Sequence, residues 1–443
     1  MSRLTVVRLL PVLDFGGVES RVVMTAERID RSRFDFRVVA FHRPGAAAER
    51  IAAAGIPVEI LGTDPAVRNP RATVRLARFL RGLRPDVLHA SIAEANFHAA
   101  IAGTLARVPL RIGEEVGVPV RSARGRRLQR LAARGLHQLV GVTQATVDWL
   151  ADEQGVPRDQ LVRIYNCGKP QFFGPVTRRE RTGRFRILTT GRLVWQKDYA
   201  NLVKAAARAF REGLDGELWI AGEGDLRPDI EAAIAASGLP DRIRLLGYRD
   251  DVRALLDDAD LFVLPSVSEG CSVALIEAMA SGIPCLASDI PGNAEVMDGL
   301  AGALVPVSDE AAWARAMRRM ADRPFGQRAA LGLEGRVVAQ GRFSPEIYVA
   351  AVEALYDGWS RAAGDASGAD GGGGDAATAE GRSTAGRWTV RSASSWNRSS
   401  AARSSTSRAP PARRPTSTTS MRFASATPRS WQRSAAASSR ASP

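Results

Sequence analysis

Apolar residues fall along this chain in two alternating rhythms. Short runs such as LTVVRLL (4–10) read as strands, and longer stretches whose apolar side chains return every third or fourth position read as helices. In the first part, runs at 4–10, 36–41, 58–61 and 86–89 predict strands. The loop LDFGGVES (13–20) leads into a helix ending near Ile29, and further helices are expected at 46–54 and 71–83. A Gly/Pro-rich connection, NCGKPQFFGP (166–175), reads as a hinge. Beyond it the series resumes, with strands at 185–190, 217–221, 243–247, 261–264 and 284–287 and helices at 200–211, 228–236, 252–258 and 272–280. Alternation of this kind means parallel sheets covered by helices on both faces. The expected class is therefore α/β, two Rossmann-like doubly wound domains facing each other across a cleft between their strand ends.

Domain boundaries follow from the same pattern: 1–168, 169–343, and an amphipathic helix at 344–363 that is expected to pack back on the N-terminal domain. Its apolar face carries Tyr348, Val352, Leu355 and Trp359. From 364 onward the composition offers almost nothing to bury, and disorder is expected to the end at 443. Residues 381–443 hold twelve Arg, no Lys and no acid, which resembles an out-of-frame reading of a GC-rich message more than a selected nucleic-acid arm.

That tail changes the meaning of the net charge of +14, because it contributes +12 by itself, against +9 from residues 1–168 and −7 from residues 169–380. No specific nucleic-acid partner is expected, since such binding would rest mainly on the tail. The contrast between the two domains points instead to a basic half that meets an anionic surface. The segment from Arg121 to Arg134, with Leu128 and Leu131 at helical spacing among its arginines, is a candidate for peripheral contact with an anionic membrane. The arginines at 71, 75, 78, 81 and 84 pose the same question. No window approaches the roughly 18 apolar residues of a membrane span, and Arg8 interrupts the N-terminal run too early for a signal peptide. A cytoplasmic protein, peripheral on the inner face of the plasma membrane, is expected. Cys167, Cys271 and Cys285 lack CxxC spacing, so neither zinc nor disulfides are suggested.

Candidate chemistry concentrates in SEGCSVALIEAMASGIP (268–284). An apolar run closed by Pro265 ends a buried strand, Glu269 falls in the loop, and Ser272 is placed to cap a helix that carries Glu277. The amides of Gly270, Cys271, Ser272 and Val273 at this helix start suit a phosphate or a sugar hydroxyl. Cys271 reads as a small apolar filler, and Asp258 and Asp260 imitate a metal-binding DxD at what reads as a turn before a buried strand. The opening loop is not GxGxxG, which disfavours an NAD enzyme.

Together with GRLVWQKDY (191–199), AGEGD (221–225) and LLGYRDDV (245–252), this stretch makes residues 4–362 resemble glycosyltransferase family 4, the retaining, nucleotide-sugar-dependent group of GT-B fold. The resemblance rests most on the E-x7-E spacing of Glu269 and Glu277, reinforced by Arg192 and Lys197. It implies that Arg192 and Lys197 bind the donor diphosphate, that Glu277 holds the ribose, and that Glu269 faces the donor sugar beside the amides of Gly270 to Val273. Gly222, in the AGEGD block, joins the donor side. Gly16 and Gly17 match the N-terminal loop approaching the phosphates and acceptor. The implied activity is hexosyl transfer from a UDP- or GDP-sugar to a glycan or lipid-linked acceptor in cell-surface polysaccharide or glycolipid synthesis, with catalysis resting on Glu269, Arg192 and Lys197 and no metal or cofactor required. Acceptor-side candidates are His89, Ser91 and Glu115. Ser91 stands where many members carry a second histidine, a departure that argues against a histidine general base. Two other readings remain at this point: a glycoside hydrolase using Glu269 and Glu277 as acid and nucleophile, and a nucleic-acid-binding protein acting through its basic tail.

Overall fold

The computed structural model describes residues 3–14, 16–117, 123–300 and 302–367. The linker and arginine-rich tail expected to be disordered lie outside the described residues from 368 onward, as does Arg121. Among the described residues, one parallel sheet comprises β1 Leu4–Leu10, β2 Phe34–Ala40, β3 Val58–Ile60, β4 Val87–Ala90, β5 Leu110–Glu115, β6 Gln138–Gly141 and β7 Leu161–Arg163. A second contains β8 Phe185–Thr190, β9 Gly216–Ala221, β10 Ile243–Gly247, β11 Leu261–Leu264, β12 Cys285–Ser288 and β13 Leu304–Val305. Their orders are β3-β2-β1-β4-β5-β6-β7 and β10-β9-β8-β11-β12-β13. Each domain thus winds outward from its first strand one way and then the other. The switch points, β1 beside β4 and β8 beside β11, open a crevice at the strand ends where such sheets bind ligands.

The apolar pattern located the strands flanking both switch points but not β5, β6, β7 or β13. Strand β5, LRIGEE, ends on two carboxylates, so its polar content hides a strand buried on both faces. Alternation of side chains sends Glu114 and Glu115 to opposite sides of the sheet. Glu114 meets Arg8 from β1 and Arg21 from the helix Gly17–Arg28, each at 2.5 Å, and Ser91 donates to the same carboxylate. Asn96 accepts from the Glu114 N–H at 3.1 Å and donates to its carbonyl at 3.0 Å. Burial alone would raise the Glu114 carboxyl, but Arg21 and Arg8 outweigh it and hold the group far below the usual carboxylate range.

Over this network lies the helix Pro345–Ser367, which begins two residues after Phe343 and returns to the N-terminal domain. Tyr348, Val349, Val352 and Tyr356 join the core formed by Val6, Leu10, Val22, Phe34 and Ile112. Glu353 accepts from the Asp30 N–H at 2.9 Å and pairs with Arg33 at 3.0 Å. The chain therefore crosses between domains twice, and the Gly168 N–H donates to the Phe343 carbonyl at 3.3 Å where the crossings meet.

Removing the carboxylate shared by the buried guanidinium groups of Arg8 and Arg21 leaves uncompensated charge in a low-dielectric core. Glu114→Gln is expected to destabilise the protein by about 3–5 kcal/mol in urea unfolding. A loss below about 1 kcal/mol would show that Arg8 and Arg21 do not depend on it.

Candidate active site

The loop between β11 and the helix Val273–Ala280 reaches the cleft from the C-terminal domain. Lys197, in the short 3₁₀ turn Trp195–Lys197, pairs with Glu269 at 2.5 Å, both side chains 15% exposed. Ser266 donates to the same Glu269 oxygen at 2.8 Å. One catalytic candidate thereby fixes another, since two donors on a single oxygen leave the carboxylate few rotamers. Arg192 stands exposed on the same C-terminal-domain loop, and its charge is felt by Glu19 across the cleft.

Ser272 occupies the N-cap position, but its side chain makes no cap bond. This corrects the expected capping role: its φ of −71° and ψ of 112° set the chain for the helix, while the first-turn N–H groups are not taken by a hydroxyl. Cys271 behaves as a filler, its thiol pushed up to about 12 by burial, and its carbonyl accepts from the Asn166 amide at 2.6 Å. Gly270 presses on the backbone of the N-terminal domain, where an added Cβ would collide with the Val116 carbonyl and lie 3.0 Å from Gly117 Cα. Gly17 faces the helix start from that domain, its Cβ position 3.8 Å from Val273. Gly16 is covered by the folded-back carboxylate of Glu19.

Glu277 is 7% exposed and faces the hinge, accepting from the Lys169 N–H at 3.4 Å. Burial pushes its carboxyl up to about 7, against the pull of Lys169. Gly222, a donor-side candidate, has a packing duty: a Cβ there would collide with the Gly191 carbonyl, which locks the AGEGD turn onto the GRLVWQKDY loop.

The acceptor-side candidates lie deeper than expected. His89 is buried, its Nδ1 2.9 Å from the Tyr356 hydroxyl, and burial beside Arg8 keeps the imidazole neutral well below its ordinary pKa. Ser91 belongs to the Glu114 network, receiving a bond from Arg8 at 2.7 Å. Glu115 is buried and accepts from Gln129 at 3.2 Å and from Asn96 at 3.4 Å. Sequence reasoning passed over Glu19, whose carboxyl is raised by burial and drawn down again by Arg21 and Arg192. An acid in the first turn after a glycine pair was the available signal. Asp258 and Asp260 bind Arg181 and Arg186, and Asp260 also accepts from the Arg186 backbone at 2.9 Å, so both hold the turn before β11. Among the described residues, no group of three or more His, Cys, Asp or Glu is arranged to hold a metal ion.

Two doubly wound domains with a phosphate-suited helix start on one side of the cleft and a glycine loop on the other define the GT-B class. The family described as "Glycosyl transferases group 1" matches residues 184–323, and "Glycosyl transferase 4-like domain" matches residues 16–167. The chain belongs to the family 4 glycosyltransferases. It is 30% identical over 232 residues to the alpha-D-kanosaminyltransferase of Streptomyces kanamyceticus, an alignment covering 50% of this chain and 59% of that relative. Identity is 25% over 276 residues to the UDP-Gal:alpha-D-GlcNAc-diphosphoundecaprenol alpha-1,3-galactosyltransferase of Escherichia coli, covering 58% of this chain and 71% of that one. The chain thus spans less than two thirds of the kanosaminyltransferase's length. The crystal structure of Anabaena Alr3699/HepE in complex with UDP shares the fold at 20% identity and a TM-score of 0.69, covering 80% of this chain and 100% of that one.

A carboxyl raised in the folded state contributes stability in full below its unfolded pKa, and that contribution is lost as pH rises through the folded value. Without nucleotide, the wild type should therefore lose stability relative to Glu277→Gln between pH 5 and 8, by on the order of 3 kcal/mol. Thermal melts at both pH values check this, and parallel curves would remove the burial cost assigned to Glu277.

Proposed function

We propose that this protein is a retaining glycosyltransferase that moves a hexose-type sugar from a UDP- or GDP-sugar to an acceptor in cell-surface polysaccharide or glycolipid synthesis. The observation that carries the reading is the Lys197–Glu269 pair, set beside the uncapped helix start at Val273 in a chain of this family. Breaking the sugar–diphosphate bond leaves negative charge on the diphosphate, which Lys197, Arg192 and the helix N-terminus stabilise without a metal. Glu269 faces the sugar, and Glu277 takes the ribose hydroxyls beside the Lys169 backbone. Transfer proceeds on the front face, the leaving diphosphate assisting deprotonation of the acceptor. The buried partners of His89, Ser91 and Glu115 mean that these three shape the acceptor side from beneath, while the cleft wall at Gly17, Val116 and Gly117 meets the acceptor.

The hydrolase alternative has no geometric support, since Glu269 is paired with Lys197 and Glu277 turns to the Lys169 backbone. Peripheral contact with an anionic membrane belongs to the same proposal. On the helix Ala123–Arg134, Arg127, Arg130, Leu131 and Arg134 are exposed. The adjoining helices Pro70–Leu83 and Ala93–Leu105 add exposed Val74 and Leu105. No described helix is long and apolar enough to cross a membrane.

Incubation with a panel of UDP- and GDP-sugars, read by product mass, tests the reading. Lys197→Ala and Arg192→Ala should each lower kcat about 100- to 1000-fold. Absence of both binding and turnover with every donor would overturn it. Arg127→Ala with Arg134→Ala should cut co-sedimentation with phosphatidylglycerol vesicles by roughly tenfold or more, at about 1 kcal/mol per basic residue. Unchanged co-sedimentation would remove the membrane contact alone.

A further inference from the structure

The helix Pro291–Val296 touches the donor loop and the N-terminal domain, and the roles assigned above do not use it. At its start, Gly292 lies against the donor loop, where an added Cβ would sit 2.5 Å from the Glu269 carbonyl oxygen and would also strike that of Gly270. One turn later, Glu295 reaches into the N-terminal domain. Its carboxylate accepts from the Gln144 N–H at 2.8 Å to each oxygen, from the Ala145 N–H at 3.3 Å and from the Tyr165 hydroxyl at 2.8 Å.

These two amides open the helix Gln144–Asp152, whose own cap, Thr143, takes the Thr146 N–H on its hydroxyl and the Val147 N–H on its carbonyl. A carboxylate from the other domain thus satisfies the donors that the local cap leaves, at the positive end of the helix dipole. Arg342 completes the cluster at the hinge, donating to the Tyr165 hydroxyl and the Glu295 carbonyl, each at 3.1 Å.

We propose that Glu295 is a positioning residue that couples closure of the two domains to placement of the donor loop carrying Glu269. Six residues of helix offer no slack. A rotation that parts Glu295 from Gln144 carries Gly292 with it, and so draws Glu269 and Gly270 away from Val116 and Gly117. The kinetic half of this inference rests on the glycosyltransferase reading; the structural half does not.

The full-length protein, Glu295→Ala and Glu295→Gln are compared by hydrogen exchange and by turnover. In Glu295→Ala, amides in a peptide spanning 143–152 should exchange about tenfold faster or more, while those of β8 stay unchanged. Its kcat should fall about 10- to 100-fold with the donor KM within about threefold, because misplacement by about 1 Å costs rate more than binding. Glu295→Gln keeps an acceptor oxygen and should recover most of both losses. Unchanged exchange in both variants overturns the contact, whatever the activity. Faster exchange with unaltered kcat overturns the coupling. If the wild type turns over no donor, the glycosyltransferase reading fails while exchange still decides the contact.

Discussion

The crowding of backbone around the loop at Glu269 and Gly270 constrains the rest of the molecule. Val116 of the N-terminal domain presses on Gly270 from one side, and Gly292 supports the same two carbonyls from the other. A side chain at either glycine would have to displace main-chain atoms, which cannot give way as a flexible side chain does. The loop therefore has one position, and the sheets, hinge and returning helix must all arrive in places compatible with it.

Electrostatics divides the two halves of the site by depth. On the C-terminal side the charges are shallow and paired at the edge of the cleft, Lys197 with Glu269, where a ligand can compete for them. On the N-terminal side they are sealed: Glu114 holds Arg8 and Arg21 in the core, and neither guanidinium reaches solvent. A buried ion triad of this kind is poor evidence of net stability, because desolvation offsets the attraction, although removing one member is costly. Here it joins β1, β5 and the helix that follows the glycine loop through one carboxylate.

Legibility in the sequence followed the physics of each signal. Apolar periodicity revealed the strands around both switch points because these are largely buried and read as mostly apolar runs, with few polar positions. It missed β5, because Glu114 and Glu115 are buried through partners on other elements that no local window contains. The carboxylate spacing in 268–284 located Glu269 and Glu277 together with the helix that carries Glu277. It could not say that Ser272 would leave the helix start open, nor that Glu277 would turn toward Lys169. Among the acceptor-side candidates, His89 and Ser91 were visible as polar residues at a strand end, but their partners Tyr356 and Arg8 lie far away in the chain. Glu295 carries no local signal at all, since its meaning comes from an amide pair about 150 residues earlier, brought near only by the tertiary fold.

The returning helix imposes an order on biosynthesis. Tyr348, Val349, Val352 and Tyr356 complete a core whose other buried members precede residue 168, and Tyr356 supplies the partner of His89. At roughly 5–20 residues per second, the ribosome adds the intervening C-terminal domain over some tens of seconds. Throughout that interval the nascent N-terminal half exposes an apolar groove and an unpartnered imidazole. Its last folding step must wait for the second domain to emerge, so the half made first is the half finished last.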